Sequence, residues 1–168
     1  FWSFQPVREP AVQKDANPID SLLAAEWEKR GVKPAPLADP QTLIRRLYID
    51  LIGLPPTPGE VEAFIKEPTP AAYTAMVEKL LASPRFGERW GRHWLDLARY
   101  ADSNGKDENL TFHEAYMYRD YVIRAFNNDK PFNRFIVEQL AGDLLKAESA
   151  IERDELLKAT GFLVIGPK

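Results

Sequence analysis

The chain has 168 residues, 45% hydrophobic and 28% charged, with no Cys and a formal net charge of -3. That length supports a sizeable core, and the lack of Cys excludes disulfides, thiolate metal sites and cysteine nucleophiles. Interspersed charge of both signs argues against a general nucleic-acid binder, and no apolar run approaches the ~18 residues of a membrane span.

Residues 1–16, FWSFQPVREPAVQKDA, show no helical period. They read as an extended arm, with Trp2 and Phe4 pinned to the body. The chain opens at Phe1 without a charged or apolar leader, so any targeting segment is expected to have been removed or to lie outside it. Five pairs then punctuate the sequence: Asn17-Pro18, Asp39-Pro40, Thr57-Pro58, Thr69-Pro70 and Ser83-Pro84. Asn, Asp, Ser and Thr accept hydrogen bonds from first-turn amides, and Pro suits the first helical position, where its missing N–H has no partner anyway. Each pair therefore predicts a helix start. Thr57 and Glu60 also fit a capping box, and Gly31 and Gly53 stand at expected C-terminal caps.

The predicted helices span 18–30, 40–52, 58–66, 70–82, 84–101, 113–127, 131–145 and 151–165. Ile19, Leu22, Leu23 and Trp27 form the inner stripe of the first. Leu43, Leu47 and Leu51 serve the second, and Tyr73, Met76, Val77 and Leu80 the fourth. The fold class is all-α: a single compact multi-helix domain of seven or eight helices, residues 17–168, with the extended N-terminal arm before it. The apolar run 162–165 ahead of Gly166-Pro167-Lys168 looks interrupted, so the natural protein is expected to continue.

In three neighbouring segments the helical period turns polar groups inward. In 86–102, FGERWGRHWLDLARYAD, a period of 3.6 places Phe86, Trp90, Trp94, Leu97 and Ala101 on one arc. His93 falls inside it, and Arg89, Asp96 and Tyr100 follow its edge. Gly87 and Gly91, with Ala98, leave a smooth strip on its flank where another helix can approach. On 113–127, Ala115, Val122, Ile123 and Phe126 mark the apolar face, with Arg119 in its middle. A buried arginine needs a carboxylate; Asp96 is the first expectation and Asp143 the next, while Arg124 faces solvent. On 131–145, Phe132 and Ile136 share a face with Gln139 and Asp143. Burying such groups is costly unless they pair, so they form either a lock on helix register or a site with tuned pKa values.

His93 and His113 could form a bis-histidine ligand pair, but no spacing requires it, and His93 reads as a core histidine bonded to a carboxylate. The His count also falls short of a structural zinc site. Segment 102–112, DSNGKDENLTF, suggests calcium, but with Asp102 first, Gly105 is fourth and His113 twelfth, which fails the EF-hand pattern. Asn104-Gly105 instead fits a tight turn. A polar loop of that length is nevertheless the expected functional surface. Arg46 and Asp50, four apart, read as a surface ion pair.

The runs FWSFQPV, LIRRLYIDLIGLPPTPGEVEAF, YTAMVEKLLASPRFGERWGRHWLDLARYADSNG, YRDYVIRAFNNDKPFNRFIVEQLAGDLL and ATGFLVIGP resemble the domain of unknown function found beside planctomycete-type cytochrome c modules. The resemblance covers essentially the whole chain. It implies large exported proteins, hence a periplasmic or secreted location, and partners among the other domains of the same parent, a cytochrome module included. Family members often carry a Cys-x-x-Cys-His haem-attachment sequence shortly beyond this region. The chain lacks it and resembles the front portion of the domain, so the expectation is no cofactor and no metal in this chain and haem c in the full-length protein.

No activity or catalytic residue transfers with the resemblance. Two functions follow as expectations. The first is a non-catalytic helical module of an exported cytochrome-linked redox protein, supporting a haem segment or docking partners. The alternative is an extracytoplasmic enzyme domain, hydrolytic and polysaccharide-related, built on His93, Asp96, Asp102, Asn104 and Arg119. The full candidate network is Arg89, His93, Asp96, Tyr100, Asp102, Asn104, Arg119, Gln139 and Asp143. A solvent-open pocket where Asp96 and Asp102 converge favours the enzyme; a dry, paired network favours the scaffold.

Overall fold

The computed structural model describes residues 2–6, 8, 17–104 and 110–165. The chain falls into two units, Phe1–Ala38 and Asp39–Lys168. The boundary expected at residue 16 lies outside the described residues, as does the side chain of Trp2. Among the described residues there are eight α-helices and no β-strand, as the sequence predicts.

The first unit holds a 3-10 turn, Trp2–Phe4, and helix α1, Pro18–Arg30. Asn17 caps α1 by accepting from the Ile19 amide at 2.9 Å, and Gly31 closes it at φ 63°. Two expectations fail here. Phe4 is 85% exposed, not pinned, and α1 buries no residue: Ile19, Leu22 and Leu23 are exposed and Trp27 is half-buried. A periodic stripe is buried only where another element covers it, and α1 is the only α-helix described in its unit.

The second unit carries the other seven: α2 Pro40–Ile52, α3 Pro58–Lys66, α4 Pro70–Leu81, α5 Pro84–Leu97, α6 Ala115–Asn127, α7 Phe132–Ala141 and α8 Ala150–Ala159. Asp39, Thr57, Thr69 and Ser83 each cap the helix they precede, and Thr57 with Glu60 completes the capping box. The Lys79 ammonium bonded to Glu60 at 2.8 Å, together with the Thr57 amide, holds that carboxyl down at about 2.

Two apolar clusters result. Ile44, Leu47, Tyr48, Phe64 and Leu80 form one, flanked by Leu43, Leu51, Tyr73, Met76 and Val77, so the stripes expected on the second and fourth helices do face inward. The other gathers Ala98, Tyr118, Tyr121, Val122, Ala125, Phe135 and Ala159, with Trp94, Phe126 and Phe162 packed against them. The α5–α6 seam joins α5 to this second cluster, and α2 packs on α3, α4 and α5.

Three helix ends differ from the periodic reading, each for a local reason. Helix α5 stops at Leu97, not 101, because Arg99 takes φ 55° and lets the Tyr100 amide reach back to the Leu95 carbonyl at 2.9 Å. That left-handed residue with its reaching amide is a Schellman-type stop. Helix α7 gives way at Gly142 to a 3-10 turn, Gly142–Leu144, where a Cβ on Gly142 would lie 2.2 Å from the Leu156 carbonyl of α8. Helix α8 ends at Ala159 and runs on as the 3-10 turn Thr160–Leu163. No helix among the described residues is long and apolar enough to cross a membrane.

Candidate functional site

The polar groups that reach the core are mostly not those the periodic pattern selects. Helix α6 buries Ala115, Tyr118, Tyr121, Val122 and Ala125, at spacings of three and four. Helix α7 buries Phe135, Glu138 and Gln139 opposite them. Two networks form where these faces meet.

Gln139, 1% exposed, is the centre of the first. Its Oε1 accepts from Trp94 Nε1 at 2.9 Å and from the Tyr118 hydroxyl at 2.5 Å. The indole N–H is shared, also reaching the Tyr118 oxygen at 3.0 Å, and Gln139 Nε2 donates to the Phe135 carbonyl at 3.2 Å. Burial pushes the Tyr118 hydroxyl up to about 12. The network binds α5, α6 and α7 together without any charge.

Glu138, 4% exposed, is the centre of the second. It accepts from the Tyr121 hydroxyl at 2.7 Å, from Arg134 Nε at 2.7 Å and from Lys130 Nζ. The Lys130 ammonium also sits 4.7 Å from the centre of the Tyr121 ring. Burial pushes the Glu138 carboxyl up, but hydrogen bonds from Lys130, Tyr121 and Arg134, with the lysine's charge, outweigh it and hold the group below its ordinary range. The Tyr121 hydroxyl is raised, by burial first and by Glu138 second.

Against these, Gln139 is the one member of the expected network found fully buried. His93 is exposed, its ring tilted against Trp90 at 5.3 Å, so it is neither an inward ligand nor a core histidine. Asp96 is also exposed and lies 4.0 Å from Arg92 Nε of its own helix; Leu97, expected on the apolar arc, is 73% exposed. The reason is the glycine strip. Helix α5 turns Gly87, Gly91 and Ala98 inward, with Gly87 and Gly91 against α6, which rotates the expected arc toward its flank. The close approach that two glycines permit outweighs a broader apolar face that would have held α6 further off.

Arg119 is half-exposed and pairs with its neighbour Asp120 at 3.0 Å, not with Asp96 or Asp143. It lies one position past Tyr118, about 100° around the helix, and the tyrosines take the core in its place. Asp143 is exposed; its backbone carbonyl accepts from Arg153 at 2.7 Å. Arg89 lies over Gly53, its Cδ 3.0 Å from where a Cβ would stand there, and its Nε is buried with no hydrogen-bond partner among the described residues. Tyr100 donates to Asp102 Oδ1 at 2.6 Å, and burial followed by that carboxylate pushes its hydroxyl up to about 12. Arg46 and Asp50 are both exposed and form no ion pair among the described residues.

The two ends of the 102–112 loop are zipped together. Phe112 N donates to the Asp102 carbonyl at 2.8 Å, Asn104 N to Leu110 O at 3.1 Å, and Leu110 N to Asn104 Oδ1 at 3.1 Å, around a single bridge between Ser103 and Thr111. Residues 105–109, with the expected Asn104-Gly105 turn, lie outside the described residues. Just past this neck, Phe112 and His113 line an open cleft of about 810 Å³ with Met117, Tyr118, Leu157 and Ile165. Among the described residues no three His, Asp or Glu side chains are grouped to hold a metal ion.

Glu138 and its partners were missed because a carboxylate four residues past Arg134 resembles a solvated ion pair. The available signal was its position three after Phe135 and beside Gln139. Arg124 is exposed, as expected, and also makes a two-nitrogen contact with Glu155 of α8 at 2.9 and 3.2 Å. Arg124→Leu is therefore expected to lower the unfolding free energy more than Arg119→Leu, though by no more than ~1 kcal/mol because the pair is half-exposed. Urea melts of the two variants check the order.

A family model described as PSCyt2, a protein of unknown function (DUF1549), matches residues 18–168. No curated protein and no solved structure matches the chain.

Proposed function

We propose, from the premise that this chain belongs to the PSCyt2 family, that it is a non-catalytic helical module of an exported, cytochrome-linked redox protein. In that reading it supports a haem-bearing segment or docks partner domains outside the cytoplasm. The observation that carries the non-catalytic half is the pairing of the two most buried polar side chains: Gln139 is bonded to Trp94, Tyr118 and Phe135, and Glu138 to Tyr121, Lys130 and Arg134. Groups paired in this way lock helix register, and neither Gln139 nor Glu138 opens to a substrate. Of the residues named for a hydrolytic site, His93, Asp96 and Asp102 are exposed and Asn104 and Arg119 are partly buried. The cytochrome half rests on the resemblance of the five sequence runs.

The test is an optical spectrum of the full-length parent protein, produced with haem maturation, before and after reduction. A Soret band with reduced α and β bands is the expected result. A parent protein that carries no haem and cleaves polysaccharide, with that activity lost in Asp102→Ala, would overturn the proposal.

A further inference from the structure

Helices α5, α6 and α7 leave a cleft of about 310 Å³ walled by Phe86, Trp94, Phe126, Phe132 and Phe135, with Asp129 and Lys130 completing it. Its rings are set edge to face: Trp94 stands 5.0 Å from Phe135 and 6.2 Å from Phe132, and Phe126 stands 6.1 Å from Phe135. The two charges in the lining are not equivalent. Lys130 is spent on Glu138 and on the Tyr121 ring. The Asp129 carboxylate is exposed and has no hydrogen bond or ion pair among the described residues.

Asp129 is also held at φ 47°. Its amide reaches the Phe126 carbonyl at 3.1 Å and the Lys130 amide reaches the Ala125 carbonyl at 3.0 Å, so it fills the left-handed stop of α6. Glycine is the usual occupant of that position, and Asp and Asn are among the few side chains that adopt it. The unpaired charge of the lining is therefore the Asp129 carboxylate, carried on a left-handed backbone position in a cleft lined by five aromatic residues.

We propose that this cleft docks an arginine side chain of a partner protein, its stem between the rings and its guanidinium on Asp129. Ring faces attract cations, arginine most often among side chains, and the planar guanidinium also pairs with carboxylates. A neutral apolar anchor would leave the carboxylate unused, and an acidic one would be repelled by it. This inference is independent of whether the parent protein carries haem.

N-acetyl-arginine amide is titrated into the chain and the Trp94 Nε1–H resonance is followed, with N-acetyl-norleucine amide and N-acetyl-glutamate amide as comparisons. The expected result is a saturable shift for the arginine probe, roughly tenfold tighter than norleucine, and none for glutamate. Asp129→Asn, which tolerates the left-handed backbone, should abolish the preference for arginine. Asp129→Gly should abolish it too while raising the melting temperature by about 2–4 °C. Equal affinity for arginine and norleucine, no saturable shift, or an unchanged preference in Asp129→Asn would each overturn the proposal.

Discussion

Glu138→Leu is expected to cost about 3–5 kcal/mol of unfolding free energy, the range for stripping one partner from a buried charge network. The wild-type side chain is buried and serves Tyr121, Lys130 and Arg134 at once. Its removal leaves the buried Tyr121 hydroxyl without an acceptor and the Lys130 ammonium held against the ring. Arg134, half-exposed, can turn to water, which places the expected loss toward the lower end of that range. The same residue sets an acid limb. Its folded carboxyl sits below its ordinary value of 4.5 because Lys130, Tyr121 and Arg134 together outweigh burial. A depressed carboxylate contributes stability above its unfolded pKa, and that contribution fades as pH falls through the folded value. Wild type should thus lose stability below about pH 4.5 more steeply than Glu138→Leu. Urea melts at a series of pH values read both effects, and parallel acid limbs would refute the assignment.

Gly87→Ala should be destabilising by about 1–3 kcal/mol, the cost of forcing a methyl into a packed seam. On an open helix the same change would stabilise by ~0.8–1.0 kcal/mol, so the sign itself is diagnostic. A Cβ on Gly87 would stand 2.4 Å from the Ile123 carbonyl and 2.6 Å from Asn127 Cγ. Those atoms belong to a helix backbone and to a side chain already committed, since Asn127 accepts from the Gly87 amide at 2.7 Å and donates to the Pro84 carbonyl at 3.1 Å. Helices α5 and α6 would have to separate, loosening Trp94 from Tyr118 and Gln139. Gly91→Ala is the matched control, with its nearest neighbour Val122 at an ordinary 3.4 Å; it should be neutral or mildly stabilising. Thermal melts of both variants suffice, and stabilisation by both would mean the seam is looser than described.

Five of the eight helix starts could be read directly from the chain. The five cap-and-proline pairs are local chemistry, a side-chain oxygen and a missing N–H within one turn, so Asn17, Asp39, Thr57, Thr69 and Ser83 are where they were expected. The Leu43, Leu47 and Leu51 stripe was legible for the same reason: one apolar face with no competitor. Packing between helices set which face of α5, α6 and α7 is the inside. Helical periodicity gives relative angles around an axis, not an absolute direction. On α5 the choice fell to Gly87 and Gly91, whose missing side chains allow close approach, and it sent His93 and Asp96 to water. On α6, tyrosines with hydroxyl partners outcompeted Arg119, because a neutral hydroxyl is far less costly to bury than a guanidinium. Glu138 could be buried only because Tyr121, Lys130 and Arg134 converge on it, and pairing the residues of two helices in that way is fixed by packing in space, not by spacing along the chain.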